Sequence, residues 1–293
     1  MPAFAIVVVV FLAAFAAGCG SDADQSTASR YVALGDSNAS GAGLPTPATG
    51  APKNCYRTES GYPAFAAEQL KLDEFQSVAC SGAGVNALDD EMALYPDGVA
   101  PPQFDALKGH ETIVSVTVGV NDAGLGVAAE TCLKAKSPSD TPCQDKYVTG
   151  GENKLTAAAL AIVEPLGEKL DAIHAQSPKA KIFLVGYAPI IPADGAGCWG
   201  KINVSPLDAP YFYGFQRAIS DSEKAAAEAH GATYVDLFAA GEGHDACQPP
   251  GRRWSNPVNR VGAAGWPLHP TLSGSRAAAA LLVRSARSSR LDQ

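Results

Sequence analysis

Five short apolar or β-branched segments punctuate this chain at wide intervals, and stretches of helical pattern fill the gaps between them. The segments are 31–34 (YVAL), 75–79 (FQSVA), 112–118 (TIVSVTV), 181–185 (KIFLV) and 232–236 (ATYVD). Each is bounded by glycine or a charged residue, as a buried strand is. Helical patterns cover 60–72, 153–176, 210–230 and 272–291, the second bracketed by Gly151 and Pro178. Strands alternating with helices require a parallel sheet covered on both faces. Right-handed crossovers then distribute the helices over the two faces. The expected fold is α/β: a three-layer α/β/α sandwich with a doubly wound, mainly parallel five-stranded sheet. Ligands of such sheets bind outside the carboxyl ends of the strands, so residues just after strands are the candidates for function. Stretches 123–150, 189–209 and 241–267 fall outside the alternation. Loops of that length are usually functional or disordered, and the cysteines they carry argue for order. No repeat or domain boundary is visible, and one domain is expected over 30–288.

The chain has 293 residues, 46% of them apolar, enough to bury a large core. Its formal net charge of −8 offers no basic footprint, so no nucleic-acid partner is expected. Residues 3–17 form one apolar run, too short for a comfortable membrane span, followed by Gly18-Cys19-Gly20. That is the shape of a signal peptide over 1–18. Ala16-Ala17-Gly18-Cys19 resembles a bacterial lipobox, which implies lipidation of Cys19 and attachment to a membrane. Two features depart from that pattern: no Lys or Arg precedes Arg30, and Ala16 stands where leucine is more usual. The alternative is a plainly cleaved signal with a free Cys19. Residues 19–29 then serve as a flexible tether, and 289–293 as a polar tail. The domain is expected outside the cytoplasm, secreted or anchored to the outer face of the cell membrane.

Setting Cys19 aside leaves six of the seven cysteines: Cys55, Cys80, Cys132, Cys143, Cys198 and Cys247. An even number in an exported chain implies three disulfides, with 15 possible pairings. No CxxC or CxxH pair exists, which argues against zinc.

The first strand runs into Gly35-Asp36-Ser37, which puts a serine at the carboxyl edge of the sheet. The second ends in Cys80-Ser81-Gly82 and the third in Gly119-Val120-Asn121-Asp122. Three consecutive strands thus deliver Ser37, Gly82 and Asn121 to one edge. The backbone N–H groups of Ser37 and Gly82 and the Asn121 amide would supply three donors to an oxyanion. Taken singly, each motif also suits a turn or a helix cap. Of the five histidines, His174 and His230 lie late in helical patterns, and His110 and His244 in polar loops. His269 differs: it stands between Leu268 and Pro270, with Pro267 before it, just ahead of the last helix. A rigid loop is what a base aimed at Ser37 requires.

With these blocks in order, the chain resembles the SGNH, or GDSL, hydrolase family: GDS at 35–37, Gly82, GxND at 119–122 and His-Pro at 269–270. The resemblance covers nearly everything after Arg30. It implies a flavodoxin-like sandwich and a serine hydrolase of carboxylic esters that works through an acyl-enzyme and needs no metal or cofactor. The cysteines resemble those of the secreted actinobacterial lipase and esterase branch, implying the pairs Cys55–Cys80, Cys132–Cys143 and Cys198–Cys247. Many members carry an acid three residues before the histidine, and here that residue is Trp266. The actinobacterial branch instead orients its histidine with a main-chain carbonyl, a role assigned here to Trp266, giving a Ser37–His269 dyad. Asp36 is expected to position its own turn and Asp122 the Asn121 loop. Asp236 and Asp245 are the more distant acids to test as a hidden third member. The expected partner is a small-molecule or lipid ester, met by a monomer. A carbohydrate acetyl or acyl esterase and a non-catalytic ligand-binding lipoprotein are the rivals, the second opposed by the intact set Ser37, Gly82, Asn121 and His269. Ile190-Ile191, Trp199 and Tyr211-Phe212-Tyr213 suit an acyl groove and loop packing equally.

Overall fold

Strand β1, Arg30–Gly35, is buried along its whole length, and its alternating side chains build two cores. Val32 and Leu34 face Leu166, Leu170, Ile173, Ala226 and Ala227. Tyr31 and Ala33 face Ala66, Ala278, Ala279, Leu282 and Val283. A strand covered on both faces reads as a continuous apolar run because neither side meets water. Each fully buried large aliphatic contributes roughly 1.5–3 kcal/mol. The computed structural model describes Met1 and residues 28–258 and 264–291. The apolar run 3–17, Cys19 and the tether up to residue 27 lie outside the described residues.

Around β1 stand β2 (Glu74–Ser77), β3 (Ile113–Thr117), β4 (Lys181–Val185) and β5 (Thr233–Val235). Their order is β2-β1-β3-β4-β5, and every pairing is parallel. The order reverses between β1 and β3, the position where open sheets of this kind leave a crevice for ligand. Tyr62 and Ser115 carry polar atoms into the sheet core, and both are satisfied. The Ser115 hydroxyl bonds Tyr31 at 2.7 Å, and Tyr62 bonds Thr117 Oγ1 at 2.9 Å.

Helices α1 (Ser37–Ser40), α2 (Tyr62–Leu70), α3 (Leu125–Cys132) and α4 (Pro142–Tyr147) precede α5 (Lys154–Leu160) and α6 (Val163–Gln176). Then come α7 (Ala209–Ala229), α8 (Leu237–Ala240) and α9 (Leu272–Leu291). The single helix expected over 153–176 is two. Pro165 has no N–H to give a preceding turn, and it sits in the first turn of α6, where none is needed. The stretch expected as a loop over 123–150 contains α3 and α4, joined by the Cys132–Cys143 disulfide. Asp208, just before α7, accepts from Cys143 N at 2.8 Å and Gln144 N at 3.2 Å, tying α4 to α7. These elements enclose a third core, with Ile190, Ile191, Phe212 and Phe215 inside it. Helix α9 spans Leu272–Leu291, the range of its helical pattern, and so takes in the first residues of the stretch expected as a tail.

Candidate active site

The first strand ends at a close contact with β3. Gly35 has φ +140°, and a Cβ there would lie 2.4 Å from Thr117 O, so only glycine fits. The buried Gln103 clamps this end: its Oε1 accepts from Gly35 N at 2.7 Å, and its Nε2 donates to Gly35 O at 2.9 Å. Asp36 follows, fully buried, with Oδ1 accepting from Asn38 N at 2.8 Å and Oδ2 accepting from the Tyr187 hydroxyl at 2.7 Å. The first of these bonds caps α1 and sets Ser37 as its first residue. Burial pushes the Asp36 carboxyl up to about 7, against the hydrogen bonds from Tyr187, Asn38 and Ala39.

His269 Nε2 lies 2.8 Å from Ser37 Oγ, across 232 residues of sequence. His269 Nδ1 lies 2.8 Å from the Pro267 carbonyl oxygen. A carbonyl only accepts, so Nδ1 carries the proton and Nε2 is left as the acceptor facing the serine hydroxyl. The orienting carbonyl is therefore that of Pro267 and not that of Trp266. The Trp266 oxygen is taken by the backbone N–H of His269 at 3.2 Å, which closes a turn over Trp266–His269. Asn256 holds this turn from outside. Its N–H donates to His269 O at 2.9 Å, its carbonyl accepts from Leu268 N at 3.0 Å, and its Nδ2 donates to Ala264 O at 3.0 Å. The Trp266 ring stands edge-on to His269, centroids 5.6 Å apart, and against Tyr56 at 4.6 Å.

Gly82 adopts φ +86°, and the space where its Cβ would point holds no atom within 4 Å. Asn121 Nδ2 donates to Ala83 O at 2.9 Å, which draws the amide to the Gly82 loop and leaves its second N–H for another acceptor. Both oxygens of Asp122 accept from Val85 N at 3.1 Å, so Asp122 grips the Gly82 segment from the Asn121 side. Burial raises the Asp122 carboxyl, opposed by that bond. The two remoter acids serve other ends. Asp236 Oδ1 accepts from Ala239 N at 2.8 Å and caps α8. Asp245 accepts from Cys247 N and from Gln248 Nε2, both at 2.9 Å. Cys198, Asp245 and Cys247 do gather metal-donor types within 4.8 Å, but the two sulfurs are bonded to each other and offer no thiolate.

A small, mostly apolar cavity of about 40 Å³ opens next to Asn38, the residue after the serine, and is lined also by Leu125, Tyr187, Ile190, Leu268 and Pro270. Of the residues expected as groove or packing, Ile190 lines it, while Ile191 and Phe212 are wholly buried in the third core. Gln103, Tyr187, Asn256 and Leu268 went unnoticed in the sequence. Only Leu268 had a local signal, since a turn with proline second puts the next residue under constraint. Gln103 and Tyr187 act across 68 and 151 residues, and Asn256 reaches the turn from the preceding loop.

The sequence profile of the GDSL-like Lipase/Acylhydrolase family matches residues 33–277. The chain belongs to this family. It is a carboxylic ester hydrolase of the lipase and esterase type. It is 35% identical over 251 residues to Lipase 2 of Streptomyces coelicolor, covering 84% of this chain and 82% of that one. Among solved structures it is similar to the extracellular lipase of Streptomyces rimosus, at 25% identity and a TM-score of 0.71, covering 88% of this chain and 99% of the other. Phospholipase A1 of Streptomyces albidoflavus is similar at 27% identity and a TM-score of 0.68, covering 89% and 99%. The three disulfides, Cys55–Cys80, Cys132–Cys143 and Cys198–Cys247, join neighbouring cysteines.

Proposed function

We propose that this GDSL-family hydrolase cleaves acyl esters with a Ser37–His269 dyad and passes through an acyl-enzyme. The observation that carries this reading is the relay from Ser37 Oγ to His269 Nε2 and from Nδ1 to Pro267 O, each bond 2.8 Å. Ser37 Oγ attacks the ester carbonyl carbon as Nε2 takes its proton. The oxyanion is held by the N–H groups of Ser37 and Gly82 and by the second N–H of Asn121 Nδ2. Collapse breaks the ester C–O bond, and the imidazolium returns its proton to the leaving alcohol. Water, deprotonated by the same nitrogen, then releases the acid and restores Ser37. The acyl chain runs along the apolar surface formed by Leu125, Ile190 and Leu268 beside Asn38. The cycle draws on no metal or cofactor.

We place the enzyme outside the cytoplasm, anchored through a lipid on Cys19. The disulfides support the compartment, since such bonds persist in oxidising surroundings, and the lipobox-like Ala16–Cys19 supports the anchor. The deciding experiment is labelling by a fluorophosphonate. Wild-type protein should be modified at Ser37 and lose hydrolysis of p-nitrophenyl esters in proportion. Labelling elsewhere, with Ser37 unmodified and activity gone, refutes the dyad. A panel from acetyl to palmitoyl, with phospholipid and acetylated xylan beside it, sorts the substrate class.

A further inference from the structure

The turn that carries His269 is built against the preference of one of its residues. His269 N donates to Trp266 O, with Pro267 and Leu268 between them, and Leu268 has φ +61°. Proline second and positive φ third is the type II pattern, whose third position is normally glycine or asparagine. A leucine pays a steric penalty there that glycine does not. The positive φ itself has a reason. The central peptide of this turn is the one between Pro267 and Leu268, and its carbonyl is the acceptor for His269 Nδ1. Glycine would meet that need at less strain, so the backbone explains the φ and leaves the leucine unexplained.

The side chain supplies the second reason. Leu268 rests on the third core, the cluster that includes Val120 and Ile190, and it lines the small apolar cavity together with Asn38, Leu125 and Tyr187. Asn38 directly follows the nucleophile and Leu268 directly precedes the base. The neighbours of both Ser37 and His269 thus line one and the same apolar cavity. We propose that Leu268 is the specificity-determining wall of the acyl pocket, admitting straight-chain acyl groups and excluding those branched beside the carbonyl. This rests on the dyad reading of Ser37 and His269. The strained turn is then one device with two outputs: it aims the Pro267 carbonyl at the base and the Leu268 side chain at the acyl chain.

The test compares kcat/KM ratios within each variant. One added or missing methylene in an apolar pocket changes selectivity by about 10–200-fold. Leu268→Gly keeps the backbone angle and removes the wall, so the ratio of 2-methylbutyrate to butyrate p-nitrophenyl esters should rise at least about tenfold. Leu268→Trp fills the pocket, so the ratio of octanoate to acetate should fall at least about tenfold. Leu268→Met, close in volume, should restore both ratios to near the wild-type values. If Leu268 only braces the turn, the variants lose activity on every ester by a common factor and both ratios stay within about twofold, which overturns the proposal. Should Leu268→Trp fail to fold, the glycine and methionine variants decide alone. Fluorophosphonate labelling of Ser37 in each variant separates the two claims. Labelling at Ser37 with unmoved ratios refutes the role of Leu268, and absence of labelling in the wild type refutes the dyad beneath it.

Discussion

A carbonyl in place of a carboxylate changes how much help His269 receives. Pro267 O fixes the tautomer by accepting from Nδ1, as an acid would, but would bring no negative charge to the imidazolium that the proposed mechanism forms. The proposed dyad would lean correspondingly more on its oxyanion donors. Ser37→Ala and His269→Ala should each reduce ester hydrolysis to near background, and the double variant should be no worse than either, because the two act as a unit. Single-turnover kinetics on folded protein check this, and a double variant far below both singles would break the unit apart. Asn121→Ala removes one donor and should lower kcat by about 10²–10³ with a smaller change in KM. A change confined to KM would make Asn121 a substrate-binding group instead. Asp236 and Asp245 already serve a helix cap and a loop, so Asp236→Asn and Asp245→Asn should each cost less than about tenfold in kcat. Loss of a true triad acid costs on the order of 10⁴, as in the serine-protease case.

At the scale of elements, the strand ends place the chemistry, and Gln103 shows what holds a strand end still. Gln103→Ala deprives Gly35 N of its partner and should destabilise the fold by about 1–3 kcal/mol, measured by urea unfolding with an unchanged slope. No loss of stability would mean that the clamp is ornamental. Strand β4 at 181–185 and helix α9 from residue 272 were legible because apolar period and flanking residues agree there. The placement of Ser37, Gly82 and Asn121 past the ends of strands was legible too, since each stands three residues after a segment that reads as a strand. Helices α3 and α4 were hidden because eight and six residues carry little periodicity. What holds them is distant: a disulfide, and the carboxylate of Asp208. The choice between the Trp266 and Pro267 carbonyls rests on a side-chain to backbone bond of His269, and Pro267 announces the turn without saying which carbonyl faces Nδ1. Tyr187, 151 residues from the Asp36 it bonds, is likewise visible only once the chain is folded.

For the molecule as a whole, stability and site geometry respond to different treatments. Burial holds the Asp36 carboxyl near 7, above its ordinary 3.8, so the folded protein binds the extra proton and the unfolded chain does not. That contribution is fully present below pH 3.8 and is lost as pH rises through about 7. Asp36→Asn should therefore flatten the fall of Tm between pH 4 and 8, and an identical slope in the variant would assign the dependence to other groups. The disulfides act elsewhere. Cys55–Cys80 fastens the loop after α1 to the end of β2, two residues before Gly82. Cys132–Cys143 joins α3 to α4, and Cys198–Cys247 joins the two long loops. All three lie toward the carboxyl edge of the sheet, while the sandwich below is closed by its two apolar faces. In chain-entropy terms, spans of 25, 11 and 49 residues contribute about 3–4 kcal/mol each. That stabilisation belongs first to the segments it closes, so reduction should open the cleft before it unfolds the sheet. Hydrogen exchange on the reduced protein should rise over 81–86, 123–150, 189–204 and 241–256 while the amides of β1, β3 and β4 stay protected, and kcat should fall ahead of the thermal transition. Replacing Cys55 and Cys80 together by alanine sharpens the test, since Cys80 stands two residues before Gly82, a proposed oxyanion donor. It should lower kcat more than the loss of Cys132 and Cys143 does. Exchange of the strand amides in step with the loops would mean that the staples hold the entire fold, and that the site has no stability of its own to lose.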